Sequence, residues 1–196
     1  VRRRTLVIMV KEPVAGRVKT RLGRDIGMIQ AAWWFRRQTR RLIRRLQDPR
    51  WQMVLAVSPD RDGMTSRVWP NRIPRVPQGS GTLGDRMGRM LRSMPAGPVC
   101  VIGADIPGLS RAHVAEAFAA LGTHDAVFGP AEDGGYWLIG AKRVRALPPG
   151  LFAGVRWSTE YALKDTISTF GDARIAQVAT LADIDTKDDL FRLAAR

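Results

Sequence analysis

Residues 5–22 read TLVIMVKEPVAGRVKTRL. The first six are apolar or β-branched without a polar alternation, the composition of a strand covered on both faces, as in a parallel sheet. The chain then turns through Pro13 and Gly16 in a loop carrying Lys11, Arg17, Lys19 and Arg21 against the single carboxylate of Glu12. Such a loop is either a solvated basic turn or a cradle for a strongly anionic group. Its place at the end of the first buried strand favours the cradle, because ligands of open α/β sheets sit outside the carboxyl ends of the strands.

The rest of the sequence repeats the alternation that this strand begins. QMVLAV (52–57), PVCVIG (98–103) and DAVFGP (125–130) read as further strands, with YWLIGA (136–141) and RIAQVA (174–179) as weaker ones and LADID (181–185) closing the sheet. Helical patterns fall near 26–47, 82–94, 110–121, 158–169 and 186–195. Ser110 and Ser158 stand where they can cap helices, and Thr186 with Asp189 approximates a capping box. The expected class is α/β, a mostly parallel sheet with helices on both faces. At 196 residues, with no repeat or linker, the chain reads as one domain over 1–196. A chain of this size buries roughly 70% of its unfolded surface, so no disulfide or structural metal is needed for folding.

Composition narrows the classes further. The lone cysteine, Cys100, excludes a disulfide framework and suits a reducing cytoplasm. The arginines at 2–4 and the short apolar run after them imitate a secretory leader, but the run is too short and no small-residue cleavage site follows. No apolar run approaches the length of a membrane span. The net charge of +14 is regional: the first 50 residues hold 15 Lys and Arg against 3 acidic residues, and the other 146 hold 17 against 15. A localised positive field attracts phosphates, nucleic acid or an anionic membrane surface.

Carboxylates recur at the other strand ends. Asp105 follows the third strand in GADIPGL, Asp133 lies beside Gly134 and Gly135 in EDGGYW, and Asp183 and Asp185 share a face of the last segment if it is extended. Each has a structural alternative: Asp105 as a turn residue before Pro107, Asp133 as part of an Asp-Gly-Gly turn, and either late aspartate as a stabiliser of the last helix start. If the ends of strands one, three, four and the last converge, a cationic loop faces several carboxylates. That arrangement suits a metal–polyphosphate complex, because Mg²⁺ takes one or two carboxylates and completes its shell from phosphates and water.

In order along the chain, KEPVAGRVKTRL, QGSGTLGDRM, GADIPGL, EDGGYWLIG, VRWST and DIDTKDDL resemble motifs of an uncharacterised bacterial transferase family, associated with radical-SAM/selenodomain proteins, of the nucleotide-diphospho-sugar transferase superfamily. The first loop and the Asp-x-Pro element are more distantly similar to phospholactate and molybdenum-cofactor guanylyltransferases. The resemblance covers residues 6 to about 190. It implies a Rossmann-like glycosyltransferase A-type fold and a cytoplasmic nucleotidyl- or glycosyltransferase. The donor is a nucleotide or nucleotide sugar, the acceptor a small molecule, and the cofactor Mg²⁺ or Mn²⁺. On this reading Lys11, Gly16, Arg17, Lys19 and Arg21 hold donor phosphates with Gly79, Gly81, Gly134 and Gly135. Lys19 and Arg21 stabilise the leaving group, Asp133 serves a hydroxyl acceptor as base, Asp105 binds the metal, and Asp183 and Asp185 compete for a second ligand position. Two departures stand out: Thr82 and Asp85 occupy positions where an Asp and Glu pair is usual, and the helix after the first loop is unusually basic.

Other candidates weigh less. Arg86 is expected to face solvent or support its helix, with phosphate contact as the lesser alternative. Trp157 and Ser158 either line an acceptor pocket or form a core residue and a cap. Cys100 reads as a small core residue, and His113 and His124 are too isolated for a zinc site or a nucleophile pair. In IQAAWWFRRQTRRLIRRLQD, Ala31, Ala32, Phe35, Thr39, Leu42, Ile43 and Leu46 share one face. Arg36, Arg37, Arg40, Arg41, Arg44 and Arg45 share the other. That basic face is a solvated exterior or a docking surface, so the alternative function is a degenerate transferase fold that binds an anionic partner, nucleic acid or a membrane surface, through residues 36–45.

Overall fold

A computed structural model describes residues 3–182. The central strand, β1 (Thr5–Lys11), is the run that opened the reading, and Leu6, Val7, Ile8 and Val10 are almost wholly buried. The chain then forms α1 (Thr20–Ile26), α2 (Met28–Arg45), β2 (Gln52–Ser58), α3 (Asp60–Thr65) and β3 (Arg75–Pro77). It continues through α4 (Leu83–Ser93), β4 (Val99–Ile102), α5 (Arg111–Ala120), β5 (Ala126–Pro130), β6 (Tyr136–Ala141), α6 (Ala162–Ser168) and β7 (Ile175–Gln177).

The seven strands form one sheet in the order β3-β2-β1-β4-β6-β5-β7. Parallel pairing joins β1 to β2 and β4, β2 to β3, and β5 to β7, whereas β6 runs antiparallel to both β4 and β5. Side chains of successive strand residues leave opposite faces, so β1 feeds two cores at once. Leu6, Ile8 and Val10 pack with Phe35, Leu42 and Ile43 of α2 and with Val114 and Phe118 of α5. Val7 packs on the other face with Met87, Met90 and Leu91 of α4, and with Phe170 beyond α6. The expected α/β class, mostly parallel with both faces covered, is the observed one.

Several expectations about elements need correction. The helix read over 26–47 is α2, Met28–Arg45, which starts just after Gly27, whose φ of 96° separates it from α1. The strand β3 and the helices α1 and α3 went unread, since each is too short to show a period. Ser158 does not cap α6, which starts at Ala162 after Tyr161; Ser158 instead sits at φ 60° in the preceding turn. Ser110 does precede α5, and its N–H donates to His113 Nδ1 at 3.2 Å. The segments read over 181–185 and 186–195 fall wholly or largely outside the described residues.

The α2 wheel holds: Ala31, Ala32, Phe35, Thr39, Leu42, Ile43 and Leu46 are all buried. The helix ends where Trp51 Nε1 donates to the Leu46 carbonyl at 3.0 Å, satisfying a terminal acceptor. Arg44 and Arg45 in its last turn lie at the negative end of its dipole. Among the described residues, no helix is long and apolar enough to cross a membrane. Cys100 lies in β4 with no solvent exposure, where burial pushes its thiol pKa up. Gly140 of the adjacent β6 leaves room for its sulfur, since a Cβ at Gly140 would come within 2.8 Å of Cys100 Sγ.

Candidate active site

Above the carboxyl ends of β1 and β4 lies a cleft of about 710 Å³. The end of β1 supplies Lys11, and the loop that follows supplies Arg17 and Lys19, with Arg21 in the first turn of α1. Across the cleft, the loop after β4 supplies Gly103, Ala104 and Asp105. Lys19 Nζ donates to Asp105 Oδ2 at 2.7 Å. The Lys19 side chain is 6% exposed and that of Asp105 33%, so the pair is sheltered on the cationic side and open on the other.

The local backbone explains how Lys19 reaches that position. It sits at φ 45° and ψ 49°, in the left-handed region that a residue with a Cβ rarely adopts, directly before α1. Strain of this kind is kept only where the surroundings over-determine it. Here the flanking Val18 and Leu22 are buried, and the ammonium is held by Asp105. The turn therefore aims the ammonium into the cleft instead of along the outside of the helix.

Gln78, Arg86, Tyr136 and Trp137 join this wall, and of these only Arg86 was a candidate for phosphate contact on the sequence. Gln78 is 3% exposed, and its Nε2 donates to the Val10 and Ala56 carbonyls at 3.1 and 2.8 Å, tying the ends of β1 and β2 together. Arg86, partly exposed, lines the cleft, and its Nε donates to the Gly81 carbonyl at 3.2 Å. Tyr136 is largely buried, which pushes its phenol pKa up, and its hydroxyl lies 3.3 Å from Thr166 Oγ1.

Of the residues read from the sequence, Lys11, Arg17, Lys19, Arg21, Gly81 and Asp105 all border the cleft. Gly16 is exposed with φ 76° and open space around its Cα, a bend in the loop. Gly79 donates its N–H to Asp60 Oδ1 at 3.1 Å, outside the cleft lining. Asp133, Gly134 and Gly135 do not line it either. The reason is topological: the antiparallel β6 lies between β4 and β5, so the end of β5 turns back through a hairpin instead of opening beside Asp105. Asp133 is exposed in that hairpin and accepts the Gly135 N–H at 2.9 Å. Asp183 and Asp185 lie outside the described residues. Trp157 packs on Phe152 with ring centroids 5.9 Å apart, bracing the second core away from the cleft. Thr82 and Asp85 form a reciprocal capping box at the start of α4, with Asp85 N donating to Thr82 Oγ1 at 3.2 Å and Thr82 N to Asp85 Oδ2 at 2.8 Å. The pairing of threonine at 82 with aspartate at 85 has this local structural use.

The cleft thus presents five cations, Lys11, Arg17, Lys19, Arg21 and Arg86, around one carboxylate, Asp105. Walls of one sign in a low-dielectric recess focus the field, which suits a ligand with several negative charges. No cluster of three or more His, Cys, Asp or Glu side chains suited to a metal occurs among the described residues. A single partly exposed carboxylate beside phosphate-binding cations fits Mg²⁺ or Mn²⁺ held chiefly through a nucleotide's phosphates, and does not fit an all-protein cage.

The sequence profile of the DUF2064 family, described as uncharacterised proteins conserved in bacteria, matches residues 42–159. No curated protein matches the sequence significantly. Among solved structures, a protein provisionally named a nucleotide-diphospho-sugar transferase, from Desulfovibrio desulfuricans G20, superposes with a TM-score of 0.81 at 25% identity, over 95% of this chain and 84% of its own. The 4-diphosphocytidyl-2C-methyl-D-erythritol synthase of Anaerococcus prevotii DSM 20548 follows the same fold with a TM-score of 0.61 at 12% identity, over 99% and 95%. The glucosyl-3-phosphoglycerate synthase of Mycobacterium tuberculosis, solved with Mn²⁺, uridine diphosphate and phosphoglyceric acid, does so at 0.53 and 15%, over 97% and 74%. The fold is that of the nucleotide-diphospho-sugar transferases, a Rossmann-like sheet.

Proposed function

The chain belongs to the DUF2064 family, and we propose that it is a transferase whose donor carries a pyrophosphoryl linkage, a nucleoside triphosphate or a nucleotide sugar. The observation that carries this reading is the 2.7 Å pairing of Lys19 with Asp105 inside a cleft whose other charged residues, Lys11, Arg17, Arg21 and Arg86, are all cations. It puts a cation able to bind phosphate and a carboxylate able to bind a metal at the same point. The likeness to the named transferases supports the same class.

In nucleotidyl transfer an acceptor oxygen bonds to the α-phosphorus, the bond to the bridging oxygen breaks, and pyrophosphate leaves with the electron pair. The negative charge grows on the departing phosphates, and that is where fixed donors lower the barrier most. Lys19 has three N–H donors, so it can keep Asp105 and still reach a phosphate oxygen. Arg17, Arg21 and Arg86 supply planar forks for the remaining phosphate oxygens. Asp105 would hold Mg²⁺ or Mn²⁺, which supplies charge neutralisation at the phosphates. An acceptor phosphate is already ionised and needs no base. With Asp133 outside the cleft, that acceptor class suits the lining better than an unactivated hydroxyl.

The single Asp-Ile-Pro carboxylate and the excess of cations favour a triphosphate donor. Glycosyl transfer is the second reading, favoured by the nucleotide-diphospho-sugar transferase name of the 25% identical neighbour. Thermal-shift measurements with the nucleoside triphosphates and with nucleotide sugars, each with and without Mg²⁺ or Mn²⁺, separate the two. A ligand at a hundred times its dissociation constant adds about 2.7 kcal/mol to stability. Metal-dependent stabilisation by one triphosphate supports nucleotidyl transfer, and by one nucleotide sugar glycosyl transfer. No metal-dependent shift with either class would overturn the proposal.

A further inference from the structure

The helix α2 presents an outer face that the cleft does not use. No Asp or Glu occurs between residues 26 and 47, whereas this stretch carries six arginines. Arg37, Arg40, Arg41, Arg44 and Arg45 are exposed, and the Arg36 guanidinium lies 6.0 Å from the centre of the Trp33 ring. At 100° per residue, positions 29, 33, 37, 40 and 44 form one strip along the centre of this face. The amino-terminal part of the strip is apolar: Ile29 is 64% exposed and Trp33 61%, with Met28 at 37% beside them. The flanking carboxylates are Asp25 at the end of α1 and Asp48, which is bound to Arg50 at 2.8 Å.

We propose that this face of α2 docks on an anionic lipid bilayer, with Ile29, Trp33 and Met28 entering the interface and the arginines lying on acidic headgroups. A helix with a basic face, a surface tryptophan and exposed aliphatic side chains has the makings of an interfacial helix. Arginines within a Debye length of an acidic leaflet are attracted by its surface potential. Two observations separate this occupant from the others. Nucleic acid would be met by arginine and tryptophan, but would bury the exposed isoleucine and methionine only at the cost of unstacking base steps. A second copy of the chain docked symmetrically on this face would set five exposed arginines against five more with no carboxylate on either helix. The same helix turns Phe35 inward to line the cleft. A protein lying on α2 therefore holds its cleft about one helix diameter, roughly 10 Å, from the bilayer.

The test is flotation of the full chain with vesicles of phosphatidylcholine alone and of phosphatidylcholine with a third phosphatidylglycerol. Binding is expected to the acidic vesicles only, falling with added salt, with a blue shift of tryptophan emission. The triple variant R37Q/R40Q/R44Q should lose about a hundredfold in partitioning, on the order of fivefold per arginine. The double variant I29S/W33S should lose binding and the blue shift while circular dichroism stays unchanged. These positions are on the surface, away from the cleft, so thermal stabilisation by a donor nucleotide should be the same in every variant; that readout stands or falls separately. Equal binding to neutral vesicles, or none to acidic ones, overturns the proposal. So does tight binding of an RNA or DNA oligonucleotide that survives I29S/W33S and displaces the vesicles, or a dimer in sedimentation that I29S/W33S dissolves.

Discussion

Lys19 joins a strained backbone to the charge on which the candidate chemistry depends. Its left-handed conformation costs roughly 1–2 kcal/mol in a residue with a Cβ, and glycine would relieve that cost while deleting the ammonium. The two effects can be separated by comparing Lys19→Gly with Lys19→Ala. Both should lose metal-dependent stabilisation by the donor nucleotide, because both leave Asp105 without its 2.7 Å partner. Urea unfolding of the ligand-free proteins should find the glycine variant more stable than the alanine variant by about 1 kcal/mol. Equal stability would mean that the loop relaxes out of the left-handed turn once the ion pair is gone. Arg86 shows the limit of reading such residues from sequence. An arginine in the first turns of a helix after a glycine-rich loop is usually solvated, and only the bond from its Nε to the Gly81 carbonyl turns it to the cleft.

At the scale of elements, the β5–β6 hairpin decides which residues reach the site. Its turn rests on Gly134, at φ 83°, where a Cβ would collide with the backbone of Glu160, and the Gly134 carbonyl accepts the Leu163 N–H at 3.1 Å. Gly134→Ala should therefore lower stability by more than about 1 kcal/mol, from the conformation alone, as read by urea midpoint. The helix α6 is held on the other side by Asp165, which accepts from Arg156 Nε at 2.8 Å. The side-chain and backbone hydrogen bonds from Arg156 hold the Asp165 carboxyl at about 2, below its ordinary range. A lowered folded-state value means that the group stabilises the fold above the ordinary aspartate value and ceases to do so as pH falls through about 2. Thermal midpoints should decline from near pH 5 toward pH 2, and Asp165→Asn should flatten part of that decline. The hairpin was open to a sequence reading, since two strand-like runs separated by five residues with paired glycines mark one. What no local signal shows is that 136–141 runs antiparallel between β4 and β5, which sets Asp133 apart from the cleft and puts Tyr136 and Trp137 on its wall. The short α1 before Gly27 was less legible, because seven residues are too few to show a period.

For the whole molecule, the regional charge and the cleft make one joint prediction. Inorganic pyrophosphate should raise the melting temperature above that in sodium chloride of equal ionic strength, and Lys19→Ala should abolish the difference. An equal effect of both salts would indicate general screening of the positive half of the chain in place of a site. The α/β class and the converging loop and Asp105 were legible because apolar runs and strand ends obey simple periodic rules. The strand order was not, because pairing is a long-range choice that no local period records. One consequence of that order concerns Cys100, sealed in β4 between β1 and β6. A thiol reagent can reach the sulfur only when the sheet parts, so the modification rate counts openings of the molecule's middle. Where reclosing is faster than reaction, the measured rate is the intrinsic thiol rate scaled by the open fraction. The single sulfhydryl is thus a built-in clock for the fold, and any molecule that grips the closed form should slow it in proportion to its grip.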